Sequence, residues 1–225
     1  MPRDPAAFVR DHVHLGPVPL VPEIQLHQAD DPIGLWELNE GEYRSTQPPP
    51  FWAFAWAGGQ ALARYVLDNP AVVASRRVLD LAAGSGLVAV AAAKAGAAEV
   101  RAVEIDPLAI AAIELNAAAN AVEVTAVLAD ILDEPPDGAE VVLAGDVFYS
   151  KAMADRVLGY LRRCAKGGAT VLVGDPERAF LPRKLFHPLT TVEVPVTQAL
   201  ESADIKRSTV WSLPIPAGSH QAAGA

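Results

Sequence analysis

The stretch Val78-Leu79-Asp80-Leu81-Ala82-Ala83-Gly84-Ser85-Gly86 places an acid just before a glycine-rich turn. Gly84 and Gly86 let the backbone turn sharply and let a ligand approach with no Cβ in the way. A helix that starts after such a turn offers free N–H groups to a polar ligand. Gly84-Ser85-Gly86 with Ala89 also fits the dinucleotide pattern G-x-G-x-x-A, and a tight turn with no ligand is the plain alternative. Two acids separate these readings. Asp80 stands where it would repel a pyrophosphate and suit a cationic ammonium group. Glu104 follows Gly84 by 20 residues, at the end of the next strand pattern, where a carboxylate accepts hydrogen bonds from ribose hydroxyls. A ligand with an amino-acid head, a ribose and no phosphate fits both: S-adenosylmethionine.

Further positions suit the same ligand. Asp130 ends a third strand pattern, where it is placed to meet an adenine amino group with the Ile131 N–H beside the ring; an ordinary loop acid is the alternative. Gly145 ends a fourth, next to the sulfonium, where a side chain would crowd the methyl group. Asp146 follows at once and is placed to bind and aim an amine; its alternative is a cap for the helix beginning near Lys151. Tyr149 hydrogen-bonds the amine, shapes its channel, or packs in the core. Among Phe51, Trp52, Phe54 and Trp56, Trp56 suits a wall over the adenine and Phe54 suits core packing. Trp52 is a candidate for cradling a methylated ammonium by cation–π contact, with packing as its alternative. Asp106, before Pro107, reads as a helix N-cap.

These residues need a frame. From Arg76 onward, RRVLDLAA, EVRAVEI, EVTAVLA, AEVVLAG and ATVLVGD read as strands, and GLVAVAAAKAG, PLAIAAIELNAAAN and KAMADRVLGYLRRCAKGG as helices. That alternation implies an α/β fold with a mostly parallel, Rossmann-like sheet and helices on both faces. TTVEVPVT and KRSTVWSLP follow with no helix between them and predict an antiparallel C-terminal edge hairpin. Asn69-Pro70 ends a helix over GQALARYVLD. Residues 1–50 form an N-terminal extension on the core and a candidate cap over the substrate site. They hold a short helix at DPAAFVRDH with Asp4 as cap, three prolines in GPVPLVPEIQLH that forbid a central strand, and a second short helix after Asp31. Residues 51–213 are the main domain and 214–225 a mobile tail.

Composition bounds the function. The chain has 225 residues and a formal net charge of −9, which gives no general pull toward nucleic acid. Its most apolar run, LVAVAAA, is too short to cross a bilayer, so a cytoplasmic protein, monomeric by default, is expected. Cys164 is the single cysteine, and the five histidines are scattered without ligand spacing, so no metal site is predicted.

Taken in order, VLDLAAGSG, VEID, GDVFY and the closing hairpin resemble the class I (seven-β-strand) methyltransferases over about residues 76–213. Asp146-Val147-Phe148-Tyr149 is similar to the D-x-x-Y signature of a group of protein lysine methyltransferases. PPPFWAFAWAGGQALARYVLD and LVPEIQLH resemble the branch that methylates the β-subunit of electron transfer flavoprotein. The resemblance implies S-adenosylmethionine as cofactor, lined by Trp56, Gly84, Glu104, Gly145 and Ile131, and a protein lysine as substrate. A small-molecule N-methyltransferase, a ribosomal protein methyltransferase and a non-catalytic cofactor-binding module are the competing readings.

Overall fold

The computed structural model describes residues 4–30, 34–35, 49–197 and 201–214. A seven-stranded sheet forms its centre. Strands β3 (Arg77–Leu81), β4 (Glu99–Glu104), β5 (Thr125–Leu128), β6 (Val141–Gly145) and β7 (Thr170–Asp175) run parallel. Then β9 (Ile205–Leu213) lies antiparallel against β7, and β8 (His187–Pro195) closes the edge beside β9, giving the order β5-β4-β3-β6-β7-β9-β8. The predicted C-terminal hairpin is therefore present, with its second strand innermost.

Side-chain alternation assigns the faces. Val78, Val100, Val141, Leu143 and Leu172 point to one face, against α2 (Ala57–Asp68) and α3 (Leu87–Lys94). Leu79, Leu81, Val142, Val171 and Val173 point to the other, against α5 (Lys151–Lys166). The helix α4 (Pro107–Ala119) joins the first face through Ile113. Burying both faces explains why these strands read as continuous apolar runs. Local chemistry sets the helix starts. Asp106 accepts from the Leu108 N–H at 2.8 Å with Pro107 following, and Ser150 accepts from Met153 N–H at 3.3 Å to cap α5. The cap alternative for Asp146 thus falls to Ser150 instead.

The N-terminal segment is more ordered than its prolines suggest. Asp4 caps α1 (Pro5–His12), with the Ala7 N–H at 3.0 Å. Strands β1 (His14–Val18) and β2 (Val21–Gln28) form a separate antiparallel pair. The prolines do keep this segment out of the central sheet, but Val21, Ile24 and Leu26 bury one face of the pair against α3. The open edge of β2 is taken up by side chains of α4. Asn116 Oδ1 accepts from the His27 N–H at 2.8 Å, and Asn120 pairs with both the N–H and the C=O of Gln25. The helix expected after Asp31 and the tail 214–225 lie outside the described residues, except for 34–35 and Pro214. Among the described residues, no helix is long and apolar enough to cross a membrane.

Candidate active site

Strand order reverses between β3 and β6, and at such a switch point the loops leaving the two strands separate to open a crevice. A cavity of about 360 Å³ lies there, above the C-terminal ends of β3, β4 and β6, a volume suited to a small-molecule ligand. Of the twelve candidate residues from the sequence, eleven line it: Trp52, Trp56, Asp80, Gly84, Ser85, Glu104, Asp130, Ile131, Gly145, Asp146 and Tyr149. Gly86 does not. It adopts φ +75° as the N-cap of α3, and a Cβ there would lie 3.1 Å from Ile113, so its work is to make the turn.

The turn itself is pinned from three sides. Gly84, at φ +53°, donates its N–H to Glu104 at 3.1 Å. Asp80, only 1% exposed, accepts from the Ala89 N–H at 2.8 Å and so caps α3, whose own N-cap residue has no side chain. The buried amide of Asn116 donates to the Ser85 carbonyl at 2.8 Å. Glu104 also accepts from the Ile105 N–H at 2.6 Å.

Burial dominates the electrostatics. It pushes Asp80 up to about 8, with the charge of Glu104 adding to the rise, and it raises Glu104 despite the N–H groups that favour its charge. Asp106 is driven to about 6 by the same desolvation. Among the described residues neither Asp80 nor Glu104 forms an ion pair. Buried carboxylates without a counter-ion are costly, and a ligand that brings a positive charge and hydroxyl donors relieves that cost. The donor set therefore fits an amino-acid head beside Asp80 and a ribose beside Glu104.

Three of the candidate positions make further contacts that the sequence did not specify. Asp130 is held by Arg156, whose Nη2 lies 3.1 and 3.0 Å from its two oxygens, and it accepts from the Leu132 N–H. Trp52 is 1% exposed and packs among Phe8, Val9 and Leu108 while also bordering the cavity. Phe51 and Tyr149 also line the cavity, their rings 5.4 Å apart. Gly145 lines the cavity, and packing against α2 also requires its missing side chain. A Cβ at Gly145 would lie 2.9 Å from Gly59 Cα, one at Gly58 would meet Asp146 Oδ2 at 2.5 Å, and one at Gly174 would meet the Gly58 carbonyl at 2.0 Å. These three glycines let α2 rest directly on the ends of β6 and β7. Phe54 is buried in the core as expected, and Cys164 is a packed thiol on α5.

Asp146 is 8% exposed, with a left-handed φ of +57°. Such a φ is uncommon outside glycine, asparagine and aspartate, and it turns the side chain back toward α2. Oδ2 accepts from the Gly59 N–H at 3.0 Å, and Oδ1 accepts from Nε and Nη2 of Arg178 at 3.1 and 2.7 Å. Arg178 also lies 5.8 Å from the Trp56 ring centroid and lines the cavity. Neither Arg178 nor its second partner, Glu201, stands out in the sequence. Arg178 sits in the loop after β7 and Glu201 is a helical residue in the connection between β8 and β9, both outside any motif.

A family profile for ribosomal protein L11 methyltransferase (PrmA) matches residues 60–150. The electron transfer flavoprotein β-subunit lysine methyltransferase of Danio rerio is 38% identical over 198 residues, covering 85% of this chain and 76% of the relative. The human protein of the same name is also 38% identical, over 85% of this chain and 75% of the relative. The ribosomal protein L11 methylase of Lactobacillus delbrueckii subsp. bulgaricus superposes with a TM-score of 0.56 at 19% identity, over 90% of this chain and 99% of that one, and shows the shared fold. With identity above one third across most of both chains, laid over a seven-stranded sheet with its cavity at the switch point, the chain belongs to the electron transfer flavoprotein β-subunit lysine methyltransferase family of class I, S-adenosylmethionine-dependent methyltransferases.

Proposed function

We propose that this protein methylates a lysine of the electron transfer flavoprotein β-subunit, with S-adenosylmethionine as donor. The observation that carries the reading is Asp146: a buried carboxylate in a D-x-x-Y sequence, lining the same cavity as Asp80 and Glu104, which form no ion pair among the described residues. The relatives' names support the substrate.

S-adenosylmethionine, when bound, would supply an electrophilic methyl carbon and a leaving group, its sulfur keeping the electron pair of the broken C–S bond as a neutral thioether. Asp80 would hold the ammonium of its amino-acid head and Glu104 the ribose hydroxyls, with Gly84 and Ser85 forming the turn against it. Trp56 would wall the adenine, and Asp130, steadied by Arg156, and Ile131 would bound the far end of the ring. Gly145 gives the cavity floor beside Asp146. The substrate lysine has an ordinary pKa of ~10.4 and must shed a proton before its lone pair can attack. Burial in the channel lined by Phe51 and Tyr149 favours the neutral amine, and the proton leaves to water. Asp146 Oδ2 accepts from an N–H that remains on the amine and so aims the lone pair. Trp52 supports the channel from behind.

The match of residues 60–150 to the ribosomal protein family favours a second reading, a ribosomal protein substrate. That span holds the glycine turn and Asp146 and stops before Arg178, Glu201 and β8–β9, so it covers the cofactor half. The test incubates purified protein with labelled S-adenosylmethionine, electron transfer flavoprotein β-subunit and ribosomal protein L11 in parallel. Label is expected in the flavoprotein subunit, at lysine; label only in L11 selects the second reading, and label in neither removes both. Asp146→Asn keeps volume and loses charge. It is expected to lower turnover by orders of magnitude with cofactor affinity held within a few-fold, because the lost contact belongs to the transition state. Full activity in folded Asp146→Asn overturns the role given to Asp146.

A further inference from the structure

Asp146 does not stand alone in the wall. The Arg178 guanidinium joins it to Glu201: Nη1 donates to Glu201 Oε2 at 3.2 Å and Nη2 to Oε1 at 2.9 Å, while Nε and Nη2 grip Asp146 Oδ1. Glu201 is 7% exposed and is anchored in turn by Lys206 Nζ, 2.9 Å from Oε2. The backbone N–H of Arg178 donates to Asp175 at 2.7 Å. The chain of contacts runs Lys206–Glu201–Arg178–Asp146–Gly59. It starts on β9, passes through the connection after β8 and the loop after β7, and ends at the first turn of α2.

The geometry divides the work of the two Asp146 oxygens. A carboxylate offers about four lone-pair positions, two on each oxygen. Arg178 fills both on Oδ1. Among the described residues only the Gly59 N–H reaches Oδ2, which leaves one position there, and Gly59 and Asp146 both border the cavity. Arg178 is thus poorly suited to be a mobile plug for the substrate's place. Five N–H···O contacts, one from its backbone, and the Trp56 ring hold it, and its bidentate fork has the shape that fixes carboxylates.

We propose that Arg178, held in place by Glu201, is a positioning residue that keeps Asp146 charged and turns its one free acceptor position toward the incoming amine. The proposal rests on the reading that Asp146 meets the amine. The groups facing Asp146 come from every neighbouring element. Arg178 supplies the cation. Glu201 and the buried Asp175 supply negative charge, with Lys206 behind Glu201, and α2 supplies the Gly59 N–H. Burial raises Asp146 above the ordinary carboxylate range and Glu201 raises it further, while the charge and hydrogen bonds of Arg178 pull it down. Arg178 and Glu201 therefore push the ionisation of Asp146 in opposite directions.

The test is the pH profile of kcat/KM for methylation of the flavoprotein β-subunit, in the full-length protein. The transition state holds a neutral amine, so log(kcat/KM) rises with a slope near 1 up to the lysine pKa. Below the pKa of Asp146 a second protonation suppresses the rate and the slope approaches 2. Arg178→Met is expected to move that break upward by about 1–3 pH units, the usual effect of removing a cation at contact distance. Arg178→Lys, which keeps the cation, is expected to move it less. Glu201→Gln is expected to move it downward. Calorimetric affinity for S-adenosylmethionine is expected to stay within a few-fold in all three. If Arg178→Met fails to fold, Arg178→Gln, which keeps N–H donors and loses the charge, decides: an upward shift supports the proposal, and an unmoved or lowered break overturns it. Equal shifts in Arg178→Lys and Arg178→Met also overturn it, since charge would then be irrelevant. Asp146→Asn run alongside separates the failures. Full activity there defeats the Asp146 reading itself. An inactive Asp146→Asn with an unmoved break in the other variants defeats only the role of Arg178.

Discussion

Replacing Asp80 by Asn should strengthen the ligand-free fold and weaken the cofactor complex. Asp80 is buried, caps α3 through the Ala89 N–H, and is pushed up to about 8 by desolvation. At pH 6 it therefore holds its proton in about 99% of ligand-free molecules. The amino group of S-adenosylmethionine, with an ordinary α-amino pKa of ~7.7–8.0, is an ammonium at that pH. Forming the ion pair expels the Asp80 proton, so affinity falls as pH drops below about 8. Above about 8 the free ligand loses its own proton and affinity falls again. The binding curve should peak near pH 8 and lie about 20-fold weaker at pH 6. Asp80→Asn keeps an acceptor for Ala89 and removes the charge. Its affinity should be flat from pH 6 to 7, and at pH 8 it should be about 10- to 150-fold weaker than wild type, the equivalent of ~1.5–3 kcal/mol for a hydrogen bond to a charged group. The stability effect has the opposite sign. A carboxyl whose folded pKa is raised contributes stability that is full below its unfolded value near 3.8 and is lost as pH rises through about 8. The ligand-free variant should thus melt higher than wild type at pH 8. Titration calorimetry from pH 6 to 9 and melting curves without ligand measure both effects, and subtracting the variant's curve removes other titrating groups such as Asp106. Wild-type affinity with a wild-type pH curve in Asp80→Asn would place the ammonium elsewhere and refute the electrostatic reading of the turn.

Glu104→Ala removes the acceptor from the Gly84 and Ile105 N–H groups as well as from the ribose, and should weaken S-adenosylmethionine binding by about 1–3 kcal/mol in calorimetry. Unchanged affinity would move the ribose contact off β4. Gly145→Ala forces a Cβ to 2.9 Å from Gly59 Cα and should cost about 1–3 kcal/mol in denaturant unfolding as α2 is pushed off the sheet; if cavity crowding were the only conflict, stability would not change. Asn116→Ala orphans the His27 N–H and the Ser85 carbonyl, and should lower the unfolding free energy by about 1–3 kcal/mol and loosen cofactor binding together. Loss of stability with unaltered binding would show that the β2 contact, and not the turn, depends on it.

The strands and helices of residues 76–213 were readable because both faces of the sheet are covered, so apolar runs and glycine-closed helices alternate in the sequence. The glycine turn and the acids at 80, 104 and 146 were readable for a related reason: each stands at the C-terminal end of a strand, where the register of a parallel sheet fixes what faces the crevice. Arg178 and Glu201 escaped notice because neither is placed by periodicity. Arg178 lies three residues past β7, Glu201 four residues before β9, and only the closed fold brings their side chains to Asp146. Gly145 shows the converse. Its identity was visible and its reason was not, since the crowding comes from Gly59 on a helix 86 residues earlier. Trp52 is similar, because an aromatic before a helix signals burial or ligand contact equally well until its neighbours Phe8 and Leu108 are known.

The N-terminal segment invites one more step. Of the described residues in the extension 1–50, Pro49 borders the cavity and none of residues 4–30 does. The contacts of residues 4–30 lie behind the glycine turn instead. His27 on β2 bonds Asn116, and Asn116 bonds the Ser85 carbonyl, so two hydrogen bonds separate the hairpin from the loop that faces the cofactor. Phe8 and Val9 of α1 pack with Trp52, which borders the cavity. A turn built on left-handed residues such as Ala82 and Gly84 is unfavourable in the free chain and persists when its surroundings determine it. The segment that the prolines exclude from the sheet is thus placed to hold the turn's shape before any ligand arrives, which lowers the ordering cost of binding.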